Sequence, residues 1–347
     1  MRTDLERSGE GYPIYRIPAL AVTPRGTIIA AYDGRPAGGD LPAHIALLVR
    51  RSTDGGATWL PRQIVRADTA PLGFGDPSLV ADHETGRLFL FHAASIRQGY
   101  QGAHTGNDPD DPDVLQADYS WSDDDGLTWQ HRRITPSIKD STWGGIFAAS
   151  GMGIQLRHGA FAGRLVQQYV VRSDDRNFGM SVWSDDHGAT WHHGALAGPD
   201  VDENKSVEMS DGRLMLNGRF RVGRQVAIST DGGASYRGLH LDTALVDPGN
   251  NASITRVAPD APASEPRSHW LLFSNTSDPG ARRNLTIRLS CDDGTTWSSG
   301  HVIEPGMAAY STLVVLPDGR VGILYERGSY EWITFTTLAL ADIGVCQ

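Results

Sequence analysis

Apolar residues along this chain come in short runs, mostly four to seven positions long. Gly26–Tyr32, Arg87–Phe91, Arg164–Val170 and Arg320–Tyr325 are examples, rich in branched and aromatic side chains that suit a pleated surface. Several follow a turn signal, as in Pro24-Arg25-Gly26, Ser210-Asp211-Gly212 and Pro317-Asp318-Gly319. No run is flanked by a capped helical pattern of ten or more residues. The pattern predicts an all-β chain of about two dozen short strands, with no composition break to mark a linker. Residues 1–347 therefore read as a single domain.

A repeat organises these strands. Ser52-Thr53-Asp54-Gly55-Gly56-Ala57-Thr58-Trp59 returns as Ser122–Trp129, Ser184–Trp191, Ser229–Tyr236 and Ser290–Trp297, five copies of SxDxGxx(W/Y). The spacing is too long and irregular for a solenoid and suits a sheet of about four strands with variable loops, the blade of a radial array. Within each copy the Asp accepts backbone N–H groups, Gly supplies a positive φ, and the aromatic packs the hairpin end onto the blade. The repeat is thus a structural device, and the architecture that fits best is a six-bladed β-propeller.

Charge and composition exclude several functions. The formal charge of −10 disfavours a binder of nucleic acid, which needs a basic face to release counterions. No run of about 18 apolar residues could span a membrane, and Met1-Arg2-Thr3-Asp4 begins no signal peptide. Secretion with the signal trimmed away is the expectation, and a cytoplasmic location stays open. Cys291 and Cys346 are the only cysteines, too few for a four-cysteine metal site, and whether they pair stays open.

Tyr15-Arg16-Ile17-Pro18 before the first repeat, the five ordered repeats, and separated Arg, Glu and Tyr positions together resemble the bacterial exo-α-sialidases, from Arg16 to Glu326. The resemblance implies a six-bladed propeller with its site at the central axis, built from different blades. It implies a retaining hydrolase of terminal α-linked sialic acids on oligosaccharides, glycoproteins or glycolipids, working without cofactor or metal. A monomer is expected.

Sialic acid carries a carboxylate on its anomeric carbon, and guanidinium can hold it bidentately without ever deprotonating. The resemblance places this clamp at Arg16, Arg224 and Arg282. Arg224 competes with Arg219 and Arg221, and Arg282 with Arg283 and Arg288. Arg224 is preferred because it immediately precedes a strand, and Arg282 because it lies 28 residues before Tyr310. Glu326, at the end of an apolar strand, matches the glutamate that orients the first arginine. Sialidases use a tyrosine nucleophile. A carboxylate would meet like-charge repulsion at an anomeric centre that already bears one, whereas a neutral phenol can lose its proton during attack. Tyr310 matches that nucleophile, and Glu208 the glutamate that serves as its base. Asp40, after two glycines, is assigned the acid/base; Asp33, in an Asp-Gly turn, is the rival with a structural role. Arg35 and Asp76 match contacts to the 4-hydroxyl. The stretch Ile96–Phe147 is expected to line the N-acyl pocket, with Tyr100 and Phe147 as candidates. Met152 stands where relatives often have glutamine, which bears on N-acyl or glycerol-side specificity.

Other signals are weak. Gly151-Met152-Gly153 lacks a third spaced glycine, the histidines show no metal spacing, and Asp108, Asp110, Asp111 and Asp113 read as a solvated acidic loop. Three alternatives stand beside the sialidase reading: a hydrolase of a deaminated or octulosonic 2-keto acid glycoside, a trans-sialidase, and a noncatalytic glycan-binding propeller.

Overall fold

A computed structural model describes residues 1–346. The chain is all-β, as its short apolar runs require; the α-helical pieces are single turns at Thr135–Ile138 and Leu340–Ile343. Consecutive strands pair antiparallel into meanders of four. The first comprises Ile14–Val22, Ile28–Arg35, Ala46–Ser52 and Gln63–Arg66. The second runs through Gly73–Ala81, Leu88–Ser95, Gln116–Ser122 and Gln130–Arg133, and Gly151–Met152 joins its inner edge in parallel. Ile146–Ala148, Leu165–Ser173, Arg176–Ser184 and His192–His193 form the third, and Asn204–Glu208, Leu214–Arg219, Arg224–Ser229 and Arg237–Asp242 the fourth.

The last sheet has seven strands and contains two such meanders, sharing the 15-residue strand His301–Val315. Its first part pairs with Arg283–Ser290, and the part from Ala308 onward pairs with Val321–Arg327. The final strand position is filled by the other end of the chain: Arg2–Arg7 pairs with Trp332–Leu338.

Burial falls from the first strands of each meander to the last. Every residue of Ile28–Arg35 and Leu88–Ser95 is buried, whereas Arg237–Asp242 is almost wholly exposed. The reason is that each sheet is covered on both faces by its neighbours. One apolar cluster joins Ile29 and Val49 of the first meander to Phe74, Leu79 and Leu90 of the second. Another joins Leu20 and Tyr32 of the first to Leu324 and Phe335 at the far end of the chain. Each such side chain contributes about 1.5–3 kcal/mol on full burial.

The repeats occupy the turn after the third strand of five meanders, and all five make the same bonds. In the first, Ser52 Oγ donates to Asp54 at 2.8 Å and accepts from Gly56 N–H at 2.9 Å. Thr58 donates to Asp54 through both its N–H and its hydroxyl. The aromatic reaches further than expected, onto the neighbouring sheet: Trp59 meets Phe335 edge-on at 5.1 Å, and Trp191 meets Phe91 at 4.9 Å. The glycine at the fifth position of the repeat is required twice over. Gly56 and Gly188 have positive φ, and a Cβ there would lie 2.3 Å from Phe335 and 2.2 Å from Phe89.

Candidate active site

Three inner strands break register at the same end of the molecule: between Arg16 and Ala19, between Gly75 and Ser78, and between Ala308 and Ser311. Bulges re-aim side chains out of the ladder. At two of them a residue with positive φ, Ile17 (61°) or Asp76 (60°), precedes a proline that has no N–H to place in the ladder. This is the physical content of the Arg16-Ile17-Pro18 motif. Glu326, fully buried, ties two of these bulges together by accepting from the backbone N–H of Ile17 at 2.8 Å and of Tyr310 at 3.1 Å.

The same carboxylate takes the fork of Arg16, with Nε at 3.0 Å and Nη2 at 3.4 Å. Arg16 lies over the rings of Tyr310 (5.2 Å) and Tyr330 (4.5 Å). Arg282 approaches the Tyr310 ring at 5.3 Å and donates to the Tyr330 hydroxyl at 3.0 Å. Its rivals point elsewhere, Arg283, itself exposed, to Asp278 and Arg288 to Ser277.

Two expected residues are displaced by their neighbours. The Tyr310 hydroxyl donates to Glu203 Oε2 at 2.6 Å, not to Glu208. Glu208 lies five residues further along Asn204–Glu208, about 16 Å away at strand rise, and an odd offset turns its side chain to the opposite face. There its carboxylate accepts the backbone N–H of Arg157 at 2.9 Å and of His158 at 3.0 Å. Glu208 lines a cavity of about 410 Å³ with Leu316 and Pro317, at the other ends of the inner strands. Met152 lines it too.

The second correction is Arg224. It is fully buried, donating to Asn217 Oδ1 at 2.7 Å, to the Asn250 carbonyl at 2.8 Å and to Asp247. The guanidinium beside Tyr310 belongs to Arg219, whose Nη1 donates to the Tyr310 hydroxyl at 3.1 Å and to Glu203 Oε2 at 2.6 Å. A signal for this was present in the chain. Arg35, Arg219 and Glu326 all sit at or beside the C-terminal end of the second strand of a meander, whereas Arg224 opens a third strand.

Burial, with the Glu203 carboxylate beside it, pushes the Tyr310 phenol well above its ordinary value, so its proton leaves only if a base takes it. Arg35 is held by Asp33, whose Oδ2 accepts Nε at 3.0 Å and Nη2 at 2.8 Å. Burial pushes Asp33 up to about 6 despite that fork. Arg35 Nη1 reaches out to Asp40 Oδ1 at 2.6 Å; the Asp40 side chain is 77% exposed. Burial first, and then the Asp33 charge, push Asp76 well above the usual carboxylate range. Tyr100 and Phe147 meet edge-on at 4.9 Å. The structure therefore gathers Arg16, Arg35, Arg282, Tyr310, Glu326, Asp40 and Asp76 on one end of the inner strands, adds Arg219 and Glu203, and leaves out Arg224 and Glu208.

Among the described residues one group has metal-ligand spacing, His104, Asp111 and Asp113 in the acidic loop. Arg97 already pairs with Asp113 there at 3.2 Å, placing a cation where an ion would compete with it.

The BNR repeat-like domain family matches residues 26–323. A sialidase of Micromonospora viridifaciens is 53% identical over 350 residues, 98% of this chain and 54% of its own length. A Bacteroides fragilis sialidase is 32% identical over 95% of this chain and 62% of its own. The chain thus spans only a little over half the length of these curated relatives. Among solved structures, a Hadza microbial sialidase superposes with a TM-score of 0.90 at 32% identity, covering 99% of this chain and 69% of that one. An intramolecular trans-sialidase from Ruminococcus gnavus superposes at 0.82 with 20% identity, a likeness of fold. With its repeats matched over most of their span and a solved relative covered by more than two thirds, the chain belongs to the sialidase family.

Proposed function

We propose that this chain is a retaining exo-α-sialidase built as a six-bladed β-propeller. The observation that carries the reading is the contact of the Tyr310 hydroxyl with both Glu203 and Arg219, between the guanidiniums of Arg16 and Arg282. Six blades are supported by the division of the seven-stranded sheet at Ala308 and by the pairing of the chain's two ends. Arg16, Arg219 and Arg282 hold the sugar carboxylate. The Tyr310 oxygen attacks the anomeric carbon as its proton passes to Glu203, and Asp40 protonates the departing glycosidic oxygen. Water deprotonated by Asp40 then attacks the glycosyl-tyrosine, and the phenolate recovers its proton from Glu203. A neutral phenol avoids the repulsion a carboxylate nucleophile would meet.

Arg35 and Asp76 flank the acid and offer a donor and an acceptor for a ring hydroxyl; Tyr100 and Phe147 offer an apolar wall for the N-acyl group. One chain supplies every residue of the set, which supports action as a monomer. The Cys291–Cys346 disulfide supports an exported protein, because such bonds persist in oxidising compartments.

The test is hydrolysis of a fluorogenic N-acetylneuraminide, with proton NMR identifying the first sugar released as the α-anomer. Tyr310→Phe should reduce turnover of a natural sialoside severely while a didehydro sialic acid analogue still binds. Unchanged turnover removes Tyr310 from the nucleophile role.

A further inference from the structure

Asp40 is held by one side chain, Arg35, and is otherwise exposed. The residues after it are not loose at all. The Leu41 carbonyl oxygen lies 1.9 Å from where a Cβ of Gly99 would stand, and the Ala43 carbonyl oxygen 1.8 Å from that of Gly73. Both distances are far inside any carbon–oxygen contact. Neither glycine has a positive φ, so conformational freedom does not explain them; the missing Cβ is a matter of space alone. The Leu41 side chain packs with Tyr100 on the cluster around Phe147 and Ala149, and the Ile45 carbonyl accepts from Phe74 N–H at 3.0 Å. The loop that carries Asp40 therefore leaves the first meander and rests, backbone to backbone, on the second. Gly38 and Gly39, on the other side of Asp40, meet nothing closer than 3.5 Å.

We propose that Gly99 and Gly73 are positioning residues for the acid/base: by lacking a Cβ they let the Leu41–Ala43 backbone seat on the second meander, and that seat sets where Asp40 meets the leaving-group oxygen. The proposal rests on the reading of Asp40 as the acid. It deepens that reading by assigning the acid's placement to Gly73 on a strand of the second meander and Gly99 in the loop after Leu88–Ser95, 33 and 59 positions away in sequence. A Cβ at either position must lift the loop, since the atom it meets is backbone and cannot rotate aside. The lift carries Asp40 away from the glycosidic oxygen and from Arg35 without touching Tyr310, Glu203 or the arginines Arg16, Arg219 and Arg282.

Leaving groups separate this role from general damage. An alkyl sialoside such as sialyllactose expels an alkoxide unless it is protonated, whereas an aryl sialoside such as the 4-nitrophenyl glycoside expels a stabilised phenolate. Gly99→Ala and Gly73→Ala should each lower kcat/KM for sialyllactose by about tenfold or more beyond any loss on the aryl glycoside, part of the roughly 10²–10⁴-fold that a positioned proton donor supplies. Asp40→Ala should show the same split more strongly, and Gly38→Ala should leave both substrates unchanged. Leu41→Ala loosens the seat without inserting an atom, so it reports even where a glycine variant fails to fold; the same split is expected. Equal losses on both substrates in the Gly99, Gly73 and Leu41 variants, with the split intact in Asp40→Ala, overturn the positioning role. No split in Asp40→Ala overturns the acid assignment and the proposal with it.

Discussion

Glu203 and Glu208 show how five positions along the chain decide what a buried glutamate touches. Both are buried, on the same five-residue strand or beside it, yet one accepts a hydrogen bond from the Tyr310 hydroxyl and the other from two backbone N–H groups. Glu203→Gln should therefore lower turnover of a sialoside by roughly 10²–10⁴-fold with little change in melting temperature. Glu208→Ala should leave turnover within a few-fold and cost about 1–3 kcal/mol of stability, because two buried donors lose their acceptor. Steady-state kinetics and thermal melts on the two variants check this; an inactive, fully stable Glu208→Ala would reverse the assignment. Arg219 and Arg224 divide in the same way. Removing Arg224 strands the Asp247 charge in the core, a loss of about 3–5 kcal/mol, whereas Arg219 lies beside the Tyr310 hydroxyl. Nothing in a residue's identity announces this difference, which depends on which end of a strand it occupies and to which face it turns.

At the scale of elements, the repeats were legible because their chemistry is local. Ser, Asp, Gly and the hydroxyl residue that follows satisfy one another within eight positions, so any chain with that spacing closes the same turn. The five aspartates are all held below their ordinary range. For Asp54, at about 2, the largest cause is the Thr58 hydroxyl bond; for the other four, partial burial opposes the shift and the same set of bonds outweighs it. A carboxylate whose folded pKa is depressed stabilises fully above its unfolded value and loses that contribution as pH falls through the folded one. The melting temperature should therefore drop steeply between about pH 4 and pH 2. Asp54→Asn should start lower at neutral pH and fall less over that interval; melts at pH 4, 3 and 2 give the slope, and parallel slopes would contradict the account. The bulges were legible only in part. Arg16-Ile17-Pro18 stood out as a motif, but that Ile17 adopts a positive φ, with its N–H captured by Glu326, needs a partner 309 positions away.

Over the whole molecule, closure is achieved by joining the two ends. Arg2–Arg7 completes the sheet of Trp332–Leu338, and the disulfide from Cys291 to Cys346 ties the fifth repeat to the residues just beyond that sheet. Linking positions 55 apart removes chain entropy worth at most about 4 kcal/mol from the unfolded state. A Cys346→Ser variant, or the native protein under reductant, should melt at a lower temperature with turnover at 25 °C unchanged, since no residue of the fifth repeat touches the site; an unchanged melt would mean the tail adds nothing to closure. Arg16, Glu326 and Tyr310 were reached through the resemblance of the whole pattern to the sialidases, whereas the sequence by itself determined the strand class and the five turns. These follow from interactions within a few residues, where spacing and side-chain chemistry are sufficient. Which glutamate faces Tyr310, which arginine joins it, and what seats the Asp40 loop were decided only when the inner strands met at one end. Those choices depend on register and facing between segments tens to about a hundred residues apart, and a shift of one residue in a strand reverses them.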